Sequence, residues 1–284
     1  MKKIWWGSGL AALLMATNAM GQGAPATKKP AGGSDAGKIK AKLDAKELND
    51  ALKSSESARI ESALTNVRVA GKEGGGKAFA PAIVARLKAG LPKELLKKGL
   101  DTLGDLEDPI GAEAGEMYLE HRDGEVRLAA VRCLGGSKGP LAVKMLRQAL
   151  GDPDPRVHAM AATVLGGTKA TDAVPDLILA LDKGVNESAV SIGQLCDPKS
   201  CDALLERMKS KPFDVISSGL AQVLSRKDVK DDEKKKIITA VRELASQKAR
   251  EFLVEIKQAW PKDGSKAVLD ALDKAIKDLE GASK

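Results

Sequence analysis

Apolar positions recur with the period of an α-helix from residue 41 to the end of the chain. Val174, Leu177, Ile178 and Leu181, for example, are spaced to lie on one face of a single helix. No segment shows a convincing alternation of apolar and polar residues, which is the pattern of a half-buried β-strand. The hydrophobic pattern therefore predicts an all-α fold.

The helical segments also repeat along the chain. The stretch DGEVRLAAVRCLGGSK, which begins at Asp123, aligns residue for residue with DPRVHAMAATVLGGTK, which begins at Asp154. Looser copies precede and follow these two. A repeat of about this length is typical of stacked helix pairs, each of which buries its apolar face against its neighbours. We expect the best repeats at 92–122, 123–153, 154–184 and 185–211.

Cap and turn residues mark the expected ends of these helices. Asp154 followed by Pro155 is typical of an N-cap and a first helical residue. The glycines of LGGTK, Gly166 and Gly167, are expected to supply a left-handed C-cap in the turn between two antiparallel helices. A phosphate-binding Walker loop has a different glycine spacing and follows a strand, so neither LGGTK nor KEGGGKAF at 72–79 is expected to bind nucleotide.

The repeats resemble HEAT repeats, specifically the short bacterial type related to the repeats of phycobilisome lyases. The likeness rests on an acidic-Pro turn, then V-R-x-x-A-x-x-x-L-G, a small-residue turn and A-x-x-x-L-x-x-A-L, best seen in 123–152 and 154–182. Arg127 fits this pattern, whereas His158 replaces the arginine in the next copy. The resemblance implies a right-handed α-solenoid with first helices on the convex side. Its second helices would line a concave side, a surface that usually binds proteins or peptides.

The N-terminal segment MKKIWWGSGLAALLMATNAMG has the pattern of a signal peptide. Lys2 and Lys3 precede an apolar stretch, and small residues follow it. We expect a cleaved signal peptide at 1–21 and export to the bacterial periplasm or the medium, with an uncleaved anchor as the alternative. Residues 22–40 are rich in Gly, Ala, Pro, Ser and Lys, so we expect a flexible, disordered linker before a solenoid at 41–284.

The three cysteines are interpreted in the light of the expected export. An exported protein enters an oxidising compartment, and Cys196 and Cys201 flank the turn CDPKSC. A local disulfide between them is one interpretation, with Cys133 left as a small buried apolar residue. The alternative is that all three are unpaired structural cysteines.

Composition and motifs argue against catalysis, metal binding and nucleic-acid binding by this chain. The two histidines, His121 and His158, are far apart, and no cysteine or histidine spacing is typical of a metal site. We expect no catalytic residues, no cofactor and no metal. A lyase-like enzyme acting on a chromophore or another protein-bound ligand is the alternative that the resemblance implies. A solenoid that binds nucleic acid is a further alternative, since the net charge is +7, but aromatic residues for base stacking are only 2% of the chain.

The sequence thus predicts an exported scaffold or adaptor that binds a protein or peptide partner and performs no catalysis. We expect no association with nucleic acid, and no integral membrane association after signal cleavage. The contact surface would be the concave, second-helix face. Candidate contact residues lie off the apolar face of the predicted second helices, and they are Lys144, Gln148, Asp176, Leu179, Asp202 and Glu206.

Overall fold

A computed structural model describes residues 45–72 and 75–282, so the predicted signal peptide (1–21) and linker (22–40) lie outside the described residues. Regular structure in the two described ranges consists of helices alone. None of these helices combines the length and apolar character that a bilayer span requires. The α-helices are α1 (Ala45–Leu52), α2 (Ser57–Lys72), α3 (Ala80–Lys88), α4 (Lys93–Leu106), α5 (Gly111–Tyr118), α6 (Gly124–Ser137), α7 (Gly139–Ala149), α8 (Pro155–Gly166), α9 (Val174–Asp182), α10 (Ser188–Leu195), α11 (Pro198–Arg207), α12 (Phe213–Ser225), α13 (Asp231–Arg242), α14 (Gln247–Gln258) and α15 (Lys266–Ala282).

The helices form two layers. The first helices of the pairs, α2 to α14 in even numbers, stack in chain order, each in contact with the next. The second helices, α3 to α15 in odd numbers, form the other layer, and each is in contact with at least one first helix. Helix α1 contacts both α2 and α3, as a second helix would. The chain is therefore an all-α solenoid, which confirms the predicted fold class.

The core runs between the two layers. Leu134, Leu165, Ile192 and Leu224 occupy equivalent positions near the ends of four consecutive first helices, and all four are buried. All four belong to one continuous apolar cluster that extends from α5 to α15. Each unit therefore buries its apolar surface mainly against its neighbours, as in other repeat proteins.

Aspartate N-caps begin several helices, as the sequence predicts. The Asp123 and Asp154 carboxylates accept hydrogen bonds from the backbone N–H groups two residues ahead, both at 2.9 Å. These bonds satisfy donors that the first turn of a helix leaves without partners. Pro155 occupies the first turn of α8, where a missing N–H costs nothing.

The prediction that the LGG glycines form left-handed C-caps is wrong. Gly136 lies inside α6 and Gly166 is the last residue of α8, while Gly167 caps α8 in a right-handed conformation with φ −76°. The left-handed residues of the α6–α7 turn are Lys138 (φ 57°) and Gly139 (φ 87°).

Close contact between first helices explains why glycine recurs there. A Cβ atom on Gly136 would lie 1.8 Å from the carbonyl oxygen of Gly104 in α4. A Cβ atom on Gly193 in α10 would lie 2.1 Å from the carbonyl oxygen of Gly219 in α12. Consecutive first helices thus touch backbone to backbone, and any side chain at these positions would push them apart.

Candidate partner-binding surface

The exposed side of the second helices α5, α7, α9 and α11, which we call the second-helix face, carries most of the predicted contact residues. Lys144 and Gln148 on α7 are exposed, as is Glu206 on α11. The Leu179 side chain on α9 is also exposed, at 59%. The sequence reasoning missed Met117 on α5, which is 42% exposed.

Repeat alignment could have identified Met117. Met117, Gln148, Leu179 and Glu206 each lie two residues before an equivalent position at the end of a second helix. They therefore form one row that crosses four repeats. The row combines two apolar side chains with two polar ones, and its apolar members stand out because few large apolar side chains are exposed in the described residues.

The other two predicted residues hold neighbouring repeats together. Arg147 of α7 donates a hydrogen bond from Nε to Asp176 of α9 at 2.5 Å, and from Nη1 to Asp172 at 2.9 Å. The Asp202 carboxylate of α11 accepts from Lys236 Nζ of α13 at 2.6 Å. Asp176 and Asp202 are therefore engaged within the solenoid. Side-chain ion pairs thus link consecutive second helices, and similar pairs such as Arg132–Asp101 between α6 and α4 link first helices in addition to their glycine contacts.

A shallow, open recess lies between α7 and the turn that precedes α9. Its walls combine apolar groups with two cations. The Arg147 cation is neutralised by its two aspartates, while the Lys144 amine forms no ion pair or hydrogen bond in the described part of the chain. The recess therefore offers one free positive charge beside apolar surface. Its lining residues are Pro140, Val143, Lys144, Arg147, Ala170 and Asp172.

The turn between α10 and α11 is closed covalently. A disulfide joins Cys196 to Cys201, on either side of the Asp197 N-cap of α11. Arg226 of the following repeat donates a hydrogen bond from Nη1 to the Cys196 carbonyl oxygen at 2.7 Å. Cys133 is a free thiol inside α6, and burial raises its pKa to about 12. A thiol with that pKa stays protonated at neutral pH and is a poor nucleophile.

The side chains best suited to catalysis or metal binding are engaged in structural hydrogen bonds. Arg127 donates two hydrogen bonds to the Asp152 carboxylate, at 2.8 and 2.9 Å, and this bond raises the pKa of the guanidinium. His158, which replaces the arginine in the next repeat, lies with Nδ1 2.9 Å from the Asp152 carbonyl oxygen. The His121 Nδ1 accepts from the Asp123 N–H at 3.1 Å. Among the described residues, no group of three or more His, Cys, Asp or Glu side chains is placed to hold a metal ion.

A family model supports the repeat architecture. The model described as HEAT repeats matches residues 113–189. These residues extend from α5 to the start of α10. The match supports a HEAT-like repeat family for this part of the chain.

Solved structures with a similar fold are distant in sequence. An engineered protein is 18% identical, with 82% of this chain and 71% of that chain covered and a TM-score of 0.45. Human deoxyhypusine hydroxylase in complex with glycerol is 15% identical, with 82% and 95% covered and a TM-score of 0.36. A designed armadillo repeat protein in complex with the peptide (KR)4 is 14% identical, with 82% and 98% covered and a TM-score of 0.39. A search of curated proteins finds no match. At these values none of the similarities indicates a shared function.

Proposed function

We propose that this protein is a HEAT-like scaffold or adaptor that binds a protein partner on its second-helix face and performs no catalysis. The observation that carries this proposal is the 59% exposure of Leu179 on that face. Helix α9 already buries Val174, Leu177, Ala180 and Leu181, so its packing does not need a further leucine. Apolar surface with a polar rim often marks an interface, and Leu179 shares its row with the exposed Met117.

The surroundings of Leu179 support the same surface. Met117 lies in the same row two repeats earlier, and the recess beside Lys144 belongs to the repeat between them. A partner that covered the three repeats would bury both apolar side chains. It could also place a side chain of its own in the recess.

Export is the second part of the proposal. A disulfide persists in the periplasm or outside the cell, whereas cytosolic thiols are usually kept reduced. The bond between Cys196 and Cys201 therefore supports the expectation that rests on the N-terminal sequence. We propose that the protein acts in the bacterial periplasm or as a secreted protein.

Site-specific photo-cross-linking tests the binding face. A photoreactive amino acid replaces Leu179 in one variant and Val69 in a matched control, since Val69 is equally exposed at 59% but lies on the first helix α2. We expect one dominant adduct in envelope extract with the probe at position 179 and none with the probe at 69. Identical adduct patterns, or none at either position, would contradict the proposal.

A substitution then tests whether the captured partner uses the leucine. Burying a leucine side chain is worth about 1.5–3 kcal/mol, so Leu179→Lys should weaken binding of the identified partner by about tenfold or more. Val69→Lys should leave the affinity unchanged. The measurement is titration of the purified partner by calorimetry.

A further inference from the structure

Lysines mark one edge of the solenoid. Each repeat from α6–α7 onwards carries at least one lysine in, or directly beside, the turn that joins its first helix to its second. All of these lysines are exposed. Because the same turn recurs in every repeat, their side chains form a row along one edge, which we call the lysine edge. Its members are Lys138, Lys169, Lys199, Lys227, Lys230, Lys262 and Lys266.

Most of these amines are free within the described part of the chain. Lys138 pairs with Glu107 at 2.6 Å, and the other six form no ion pair or side-chain hydrogen bond there. This contrasts with arginine, since Arg127, Arg147 and Arg207 are all bound to carboxylates of the solenoid. Arginine thus serves the internal contacts, while the lysine charges remain available.

Three aspartates of the same edge are engaged inside the protein, whereas Asp231 and Asp263 directly follow two lysines of the row. Asp172 is bound to Arg147, and Asp228 is bound to Arg226 at 2.6 Å. Asp197 caps α11, and its pKa is lowered mainly by the hydrogen bonds from Ser200. The charges of Asp172, Asp197 and Asp228 are used inside the protein, which leaves Lys169, Lys199 and Lys227 without a neutralising partner in their turns.

The spacing of the row fits an extended polypeptide. Packed helices lie about 8–10 Å apart, so lysines in successive repeats are separated by about that distance. An extended chain in the polyproline II conformation has three residues per turn and advances about 3.1 Å per residue, so a carboxylate at every third residue would lie on one face and meet one turn after another. The row could also face a flat anionic membrane.

The recess favours a polypeptide over a membrane. Ala170 and Asp172 of its wall belong to the turn that carries Lys169, so the recess opens beside the lysine edge. A protruding side chain can enter such a recess and reach Lys144, whereas a planar layer of lipid headgroups presents no protruding side chain to fill it.

We infer that the lysine edge and the recess bind an extended acidic segment of the partner protein, with acidic side chains about three residues apart. This inference rests on the proposed scaffold function and adds the chemistry of the partner. The lysines supply point charges along the path of the segment, and the recess supplies apolar surface beside it.

Coupling with a carbodiimide locates the contact, because the reagent joins a carboxylate to an amine only where the two touch. The probe is the biotinylated peptide (Asp-Gly-Ser)5, and mass spectrometry identifies the coupled lysines. We expect adducts at Lys169, Lys199 and Lys227. Lys53, Lys183 and Lys209, which are equally exposed at the opposite edge, should remain unmodified. Adducts spread evenly over both edges, or found on the opposite edge, would overturn the inference.

Charge reversal provides the affinity test. The triple variant Lys169→Glu, Lys199→Glu, Lys227→Glu is compared with Lys53→Glu, Lys183→Glu, Lys209→Glu, which changes the net charge by the same amount. Each exposed ion pair contributes up to about 1 kcal/mol, so the first variant should bind the peptide about tenfold more weakly in low salt. The second should bind as the wild type does. Equal affinities for the two variants would refute the inference.

Two further results separate this inference from the proposed function. If the partner captured at position 179 binds the lysine-edge variant and the wild type equally well, the inference about an acidic segment is wrong, while the proposed scaffold function is retained. Co-sedimentation with phosphatidylglycerol vesicles, without binding of the peptide, would overturn the inference and show that the lysine edge binds an anionic lipid surface.

Discussion

The backbone contact between α4 and α6 leads to a sharp prediction about Gly136. A Cβ atom at this position would lie 1.8 Å from the carbonyl oxygen of Gly104, whereas ordinary contacts begin near 3.4 Å. The helices would therefore have to separate by more than 1 Å to admit one methyl group. Since both contacting groups belong to helix backbones, no side-chain rotation can relieve the clash.

The expected cost of Gly136→Ala follows from two opposing effects. Overpacking of this kind destabilises a protein by up to about 3 kcal/mol. Alanine regains about 1 kcal/mol because it is a better helix former than glycine. The net loss is about 2 kcal/mol, which corresponds to a fall in Tm of about 4–8 °C for a domain of this size.

Gly167→Ala is the matched control. Gly167 has an ordinary right-handed conformation, and its Cβ atom would lie 3.4 Å from the nearest atom, the Val164 carbonyl oxygen. We expect no loss of stability, or a gain of up to about 1 kcal/mol. Both variants are compared with the wild type by thermal and urea unfolding, followed by far-UV circular dichroism.

Hydrogen exchange of α6 and its neighbours complements the melting curves, since repeat proteins can open locally. The Gly136→Ala variant should lose protection in α4 and α6 first. The backbone-contact explanation fails if this variant melts at the wild-type temperature, or if Gly167→Ala is destabilised by as much.

Three other predictions concern the disulfide, a buried ion pair and acid stability. Alkylation of the unreduced, denatured protein should label Cys133 alone; labelling of three thiols would exclude the disulfide. Asp152→Ala should destabilise the fold by about 3 kcal/mol in urea unfolding, because its carboxylate is 7% exposed and its loss leaves the Arg127 guanidinium without a neutralising carboxylate. Asp202→Ala, in an exposed pair, should cost less than about 1 kcal/mol, and equal losses would contradict this contrast. Hydrogen bonding from Arg156 lowers the pKa of Asp154 in the folded protein from its ordinary value of 3.8 to about 2. The charged carboxylate therefore stabilises the fold fully above pH 3.8, and this contribution is lost as the pH falls through 2. The difference in unfolding free energy between wild type and Asp154→Asn should therefore be constant above pH 5 and shrink toward pH 2; a difference that persists unchanged in acid would be inconsistent with this pKa.

Part of the candidate surface could be predicted because helical spacing alone separates buried from exposed positions. Leu179 falls off the apolar stripe of its helix, and it is exposed in the structure. The engagement of Asp176 could not be predicted in this way. Its partner Arg147 belongs to the previous repeat, and their contact depends on how the two second helices are rotated and spaced.

The local structure of this protein was determined by its sequence. The helical period and the aspartate N-caps each depend on residues within a few positions of one another, so the chain specifies them before any helix meets another. The role of the recurring glycines was decided only by the tertiary structure. The GG pair of its segment resembles a turn, yet Gly136 lies within α6, and glycine is required there because the carbonyl oxygen of Gly104 leaves no room for a side chain. Such contacts join residues about one repeat apart, and their distances are set by the packing of the whole stack.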